Sequence, residues 1–252
     1  MGNAMLSLME KVVPSHASSK KSSLVTKRVI SINEFPDEIL LKILSHLTAE
    51  ELCLVIADVC ERWNAVAKDV VLWKNLTYTC DRVSRFTSAL KVLERAPNLK
   101  SFVIRFREDA VQLLEFLFGK CDGIKRLEIY YCYLGVSNMC VLDKIVAFYP
   151  ELEELGLVGC FELTSSIGST ISQLRKLRRL NLSDCTDLSG CSIKQIVENC
   201  TRLEELCLQG INGICDKDVI HIIRKVGPQL TTLKLDGINI RDNSFCYLHH
   251  CT

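Results

Sequence analysis

The sequence predicts an α/β architecture. A three-helix segment on the N-terminal side is fused to a right-handed solenoid with a curved parallel sheet inside and helices outside. Three observations predict it. Residues 35–73 carry apolar residues at helical spacing, with start signals for the helices. From residue 99 onward an L-x-x-L-x-L-x-x-C pattern, or a close variant, recurs along the chain. Segments of helical period lie between its copies.

In the first segment Pro36 opens a helical turn, where its missing N–H removes no bond. Leu40, Ile43, Leu44 and Leu47 follow at helical spacing. Thr48 and Glu51, within T-A-E-E, form a capping box that opens a second helix. Val59, Trp63 and Val66 mark one face of a third helix beginning near Ala57. A segment this short buries too little surface to stand alone, so it must dock on another body. Ile39, Leu41 and Leu44 cannot share one internal face, and part of this apolar surface is expected to meet a partner.

The order Phe35-Pro36, Glu38-Ile39-Leu40, Ile43-Leu44, Leu47, Leu52, Val59-Cys60, Trp63, Leu72-Trp73 resembles an F-box. Phe-Pro stands where the family usually opens with Leu-Pro. The resemblance implies docking on the Skp-type adaptor of an SCF-type ubiquitin ligase and, through it, on cullin and RING subunits. It also implies that Phe35, Pro36, Ile39, Leu40, Ile43, Leu44, Leu47 and Leu52 are adaptor-binding residues, with Trp63 and Trp73 holding the helices and the junction.

The repeat copies begin at Leu99, Ile124, Leu152, Leu177, Leu203 and Leu230, so successive copies are 25, 28, 25, 26 and 27 residues apart. A degenerate earlier copy, Trp73-Leu76-Tyr78, begins at the last residue of the first segment and leaves no linker. Helical sets fill the second halves: Leu114-Leu117-Phe118-Cys121, Leu142-Ile145-Val146-Tyr149, Ile193-Ile196-Val197-Cys200 and Val219-Ile222-Ile223-Val226. Ser137 and Asp216 are expected to cap two of these helices. Strand, helix and parallel strand in succession give right-handed crossovers. The repeats resemble the Cys-containing leucine-rich repeats of about 26 residues that commonly follow an F-box.

Three regions result: a basic Ser/Lys-rich tail over 1–32, expected to be flexible; the F-box over 33–74; and the repeats over 73–252. Asp242, Phe245, Leu248 and Cys251 begin another unit that the sequence does not finish, so the C-terminal end reads as incomplete.

Composition narrows the function. Lys and Arg number 31 against 30 Asp and Glu, a balance that favours neither nucleic acid nor a membrane surface. No apolar run approaches the ~18 residues of a spanning helix. Glu10 and Lys11 interrupt the apolar patch at the start, which does not read as a secretory signal. Cytoplasmic and/or nuclear residence is therefore expected, with reduced thiols. The 14 cysteines include no C-x-x-C pair, and Cys246, His249, His250 and Cys251 lack a second cluster to complete a metal site. Cys132, Cys160 and Cys185 follow the strands, and Cys121 and Cys200 precede them, at positions suited to small buried side chains. No histidine has a nucleophile partner in a known context, and no phosphate-binding loop or zinc-protease motif occurs. The expectation is a chain without catalytic residues, metal or cofactor.

Strand alternation puts the residues between the leucines on the concave face. The candidate target-binding residues there are Arg105, Arg126, Glu128, Tyr130, Glu154, Arg179, Asn181, Glu205, Gln209, Lys234 and Asp236. Neighbouring strands lie ~4.8 Å apart, so Arg126, Glu154, Arg179 and Glu205 form a ladder of alternating charge. Either the ladder pairs internally, or it forms a mixed-charge recognition surface with Tyr130 as anchor. The resemblance as a whole implies a substrate-recognition subunit whose repeats bind an unknown protein target for ubiquitination and proteasomal degradation. The alternative is a scaffold or binding module that acts without ubiquitin transfer.

Overall fold

The computed structural model describes residues 31–134, 138–160, 163 and 166–238. The expectations for residues 1–30, for Ser137 as a cap and for a further repeat after residue 238 lie outside the described residues. The chain divides into two compact units, 1–35 and 36–252. The described part of the first is a 3-10 turn, Ile32–Glu34, capped by Ser31, whose hydroxyl accepts from Asn33 N at 3.4 Å.

The second unit begins with four helices: α1 Asp37–Leu44, α2 Ala49–Leu54, α3 Glu61–Ala67 and α4 Val70–Trp73. The carbonyl of Pro36 accepts from Ile39 N and Leu40 N at 3.1 and 3.2 Å, so the proline stands at the N-cap, one place before the first helical residue, rather than inside the first turn. The box at α2 is complete, with Glu51 N donating to Thr48 Oγ1 at 3.2 Å and Thr48 N to Glu51 Oε2 at 2.9 Å. The third helix differs from expectation. A 3-10 turn forms over Ile56–Asp58, Cys60 is extended (φ −164°, ψ 168°), and only then does α3 start. The stretch between α2 and α3 is flanked by Val55 and Val59, β-branched residues that favour a helix weakly. The break leaves Val59 exposed, while Trp63 and Val66 remain in the core. Arg62 Nη2 pins α3 to α1 through Asp37 Oδ1 at 2.6 Å.

Seven parallel strands come next in chain order: β1 Thr77–Cys80, β2 Ser101–Arg105, β3 Arg126–Tyr130, β4 Glu154–Val158, β5 Arg179–Asn181, β6 Glu205–Cys207 and β7 Thr232–Lys234. The intervening helices are α5 Phe86–Arg95, α6 Ala110–Phe118, α7 Asn138–Phe148, α8 Ile167–Ile171, α9 Gly190–Asn199 and α10 Asp216–Val226. They pack one on the next in sequence order. The register follows the leucines: Leu127 lies opposite Leu155, then Leu180, Leu206 and Leu233. The degenerate copy supplies β1, where Tyr78 pairs with Phe102 at a ring separation of 5.6 Å. This is an α/β solenoid entered through a helical segment, and the core is the continuous apolar layer between strands and helices.

Asp216 is not the cap of α10. The chain enters extended at Cys215 (φ −119°, ψ 172°), which places Asp216 already inside the first turn. Asp218, two residues on, accepts from Cys215 N at 2.9 Å and from Lys194 Nζ at 2.9 Å, joining α10 to α9.

The cysteines tie repeats together. Cys121 Sγ donates to Ala96 O at 3.3 Å, Cys200 Sγ to Leu174 O at 3.5 Å, and Cys185 Sγ to Leu157 O at 2.7 Å. In each case the acceptor lies one repeat earlier. Burial pushes the thiols up, to about 12 for Cys121 and Cys185 and about 11 for Cys200. Cys132 and Cys160 are buried as well.

Candidate protein-binding surfaces

Helices α1 to α3 sort the expected adaptor-binding residues into two sets. Ile39 and Ile43 are 43% and 37% exposed, and Pro36 is exposed beside them. Val55 and Val59 add 43% and 44% exposed side chains to the outward surface of this segment. Leu40, Leu44 and Leu52, each 1% exposed, are packed inside the chain. Helical spacing does not tell an inward leucine from an outward one when both faces are apolar. These three side chains pack within the helical segment, whereas Pro36, Ile39 and Ile43 are exposed and Leu47 is half-buried. Phe35 ends the 3-10 turn of the other compact unit.

On the sheet, β3 to β6 bring the charged residues into the expected ladder. Arg126 pairs with Glu154 at 3.3 Å, and Arg179 pairs with Glu154 at 2.6 Å and Glu205 at 3.0 Å. Arg126 also reaches Glu128 at 2.7 Å, and the Tyr130 hydroxyl donates to the other oxygen of Glu128 at 2.7 Å. Burial and that hydrogen bond push the Tyr130 phenol up to about 12. Arg105 lies over the Tyr130 ring, 4.9 Å from its centre. Gln209 Nε2 donates to Asp236 Oδ2 at 2.7 Å, and Asn181 Oδ1 accepts from Ser183 N at 3.0 Å. Lys234 is exposed on β7. The ladder is thus internally paired and nearly half solvent-exposed at its arginines, so its contribution to stability is small. A groove along it is lined by Arg126, Glu128, Glu154, Gly156, Arg179 and Asn181.

An F-box-like family model matches residues 32–79. The chain carries an F-box-like domain. Over most of its length it is also similar to an F-box/FBD/LRR-repeat protein of Arabidopsis thaliana, 25% identical over 229 residues, covering 81% of this chain and 48% of that protein. The SCF E3 ubiquitin ligase complex F-box protein pof2 of Schizosaccharomyces pombe is 34% identical over 96 residues, 37% of this chain and 19% of its own. In fold, the chain is similar to a chain in the crystal structure of the Rad7 and Elc1 complex of yeast, with a TM-score of 0.59 and 19% identity, covering 87% of this chain and 55% of that one. The chain spans about half or less of the length of the curated relatives it matches. The resemblance read from the sequence, to F-box and leucine-rich-repeat proteins, therefore holds.

The F-box helices are not a separate body from the repeats. Helix α2 packs against α5, and within the helical segment Trp73 Nε1 donates to Ala67 O at 2.9 Å, tying α4 to α3. Sequence reasoning missed one set of surface residues. In strands β2 to β7 the residue after the last outward position has a left-handed backbone: Phe106 (φ 54°), Tyr131 (φ 49°), Gly159 (φ 58°), Asp184 (φ 61°), Gly210 (φ 71°) and Gly237 (φ 73°). Glycine or aspartate recurring at this register in four copies signalled the turn, and with it the outward placement of Phe106 and Tyr131 in the other two. Among the described residues no group of His, Cys, Asp and Glu is arranged to hold a metal ion, and no helix is long and apolar enough to cross a membrane.

Proposed function

We propose that this chain is a substrate-recognition subunit of an SCF-type ubiquitin ligase. The observation that carries the reading is an F-box-like domain whose Ile39, Ile43, Val55 and Val59 stay exposed after the domain has packed on its repeats. The name of pof2 points to the same kind of complex, and Rad7 is solved with Elc1. In this reading the helices over 33–74 dock a Skp-type adaptor, which brings cullin and RING subunits, and the repeats over 73–252 hold a protein target. The residues taken to face the target are Arg105, Arg126, Glu128, Tyr130, Glu154, Arg179, Asn181, Glu205, Gln209, Lys234 and Asp236. The chain then contributes no bond chemistry. It works by proximity, holding target lysines near a charged conjugating enzyme. Direct packing of α2 on α5 favours this role, because a stiff junction fixes the separation of the two surfaces.

The test is co-elution of the full chain with a Skp-type adaptor and cullin, followed by the lifetime of a captured protein after depletion of the chain. Assembly with a lengthened target lifetime supports the receptor reading. Assembly with an unchanged lifetime favours a scaffold, and failure to bind the adaptor removes the proposal. Arg126→Glu or Tyr130→Ala is expected to weaken target capture and leave adaptor binding intact.

A further inference from the structure

Strand β1, T-Y-T-C, consists mostly of β-branched and aromatic residues that suit a sheet. Its register decides where its backbone groups point. Between β2 and β3, Arg126 N donates to Lys100 O at 3.0 Å and Phe106 N to Tyr130 O at 2.9 Å. The even-numbered residues of β2 therefore serve β3, and Ser101 and Val103 turn their N–H and C=O groups towards β1. Ser101 lies opposite Thr77, and Val103 opposite Thr79. In a parallel ladder each residue bonds to the two neighbours of the residue it faces. Leu76, Tyr78 and Cys80 thus close the ladder with β2, and Thr77 and Thr79 direct their backbone groups the other way.

Among the described residues nothing meets them there. The N–H and C=O groups of Thr77 and Thr79 have no hydrogen-bond partner. The Thr77 hydroxyl donates to Ser101 Oγ at 3.0 Å, on the face of the sheet and not at its margin. Both threonines are exposed. Natural sheets blunt such a margin with lysine, proline or a bulge. Strand β1 contains neither residue, and its register runs without a bulge from Thr77 opposite Ser101 to Cys80 opposite Ile104.

Unpaired N–H and C=O groups at strand spacing fit one kind of occupant, an extended backbone. The helix layer selects a single strand over a second copy of this chain. Helix α2 packs on α5 and on β1, so it stands in the place before α5 and covers the apolar side of the strand, where Tyr78 is buried. Twofold pairing of two β1 margins would set α5 of one copy where α2 of the other already stands. A lone extended segment brings no helix layer and meets no such obstacle. The exposed threonines favour β-branched residues opposite them.

We propose that the open margin of β1 binds an extended, proline-free segment of a partner protein as an added strand, through the backbone groups of Thr77 and Thr79. This site is separate from the charge ladder and does not depend on adaptor docking.

The test uses the full chain and a short fluorescent peptide of alternating Thr and Val with Lys at each end, in an anisotropy titration. The control is the same peptide N-methylated at two adjacent central residues, which blocks both of its edges. The parent peptide is expected to bind, and the control about tenfold or more weaker. Thr79→Pro removes a donor that the β1–β2 ladder does not use, and proline is tolerated at such a position. It is expected to weaken peptide binding to a similar degree with the melting temperature little changed. Residue-resolved hydrogen exchange on the unaltered chain gives a second readout. The Thr77 and Thr79 amides should exchange fast and those of Tyr78 and Cys80 slowly, and saturating peptide should slow the first pair. Adaptor co-elution from the same samples reports separately on the F-box-like domain. The proposal is overturned if the peptide does not bind, if the N-methylated control binds equally, or if the Thr77 and Thr79 amides are already as slow as Tyr78 without peptide. Self-association of the chain that Thr79→Pro abolishes would also overturn it, because a second copy would then hold the margin.

Discussion

Arg95 Nη1 donates to the backbone carbonyl of Cys53 at 2.7 Å, so a helix of the first repeat satisfies the end of an F-box helix. Asn98 Nδ2 does the same for Lys68 O at 3.0 Å, at the end of α3. The last carbonyls of a helix have no partner within it, and here the repeats supply one. Arg95 also meets Asp58 at 2.9 Å, but that carboxylate is 63% exposed. Arg95→Ala is expected to cost about 1–2 kcal/mol, and Asp58→Ala less than about 1 kcal/mol. Urea denaturation of both variants decides it; equal losses would mean that the carbonyl contact contributes nothing.

Exposure separates two outcomes at α1. Ile39→Asp and Ile43→Asp change exposed positions and are expected to abolish adaptor binding while the melting temperature barely moves. Leu44→Ala empties a site that is 1% exposed and is expected to cost about 2–5 kcal/mol in stability. Calorimetry with a Skp-type adaptor, paired with thermal melts, checks both. Full adaptor affinity in the two aspartate variants would show that the docking face lies elsewhere.

The buried thiols predict a reactivity pattern. Cys121, Cys132, Cys160, Cys185 and Cys200 should resist an alkylating reagent in the native chain, while exposed Cys60, Cys140, Cys191 and Cys215 react first. Cys160→Asp should prevent folding, since it buries an unpaired charge. Rapid labelling of Cys160 before unfolding would contradict the packing.

The same thiols give stability an alkaline limit. From an ordinary value of 9.0, burial raises Cys121 and Cys185 to about 12 in the folded chain. The unfolded chain therefore gives up these protons first. Their stabilising contribution is full below pH 9.0 and is lost as pH rises towards about 12. Urea midpoints should fall across this range, and more gently in Cys185→Ala. An identical slope in the variant would exclude the thiol as a cause.

The ladder makes a contrasting prediction. Arg179 bridges Glu154 and Glu205 with its side chain 48% exposed. Arg179→Ala should cost less than about 1 kcal/mol, a difference that shrinks further in high salt. A loss that high salt leaves untouched would show the ladder to be more shielded than its exposure indicates.

The repeat, its register and the charge ladder were legible in the residues alone, because a strand's period of two leaves only one way to bury every leucine. So were the F-box resemblance and the capping box at Thr48 and Glu51, which are local patterns. Helix α8, I-G-S-T-I, is too short and too rich in Gly, Ser and Thr to announce itself. Which leucines of α1 face inward was settled by packing, since contact of α1 with α3 selects the buried side from two apolar ones. Packing alone brought Tyr131 to Asp184 across Gly159, because stacking repeats turns residues 53 positions apart in the chain into near neighbours in space.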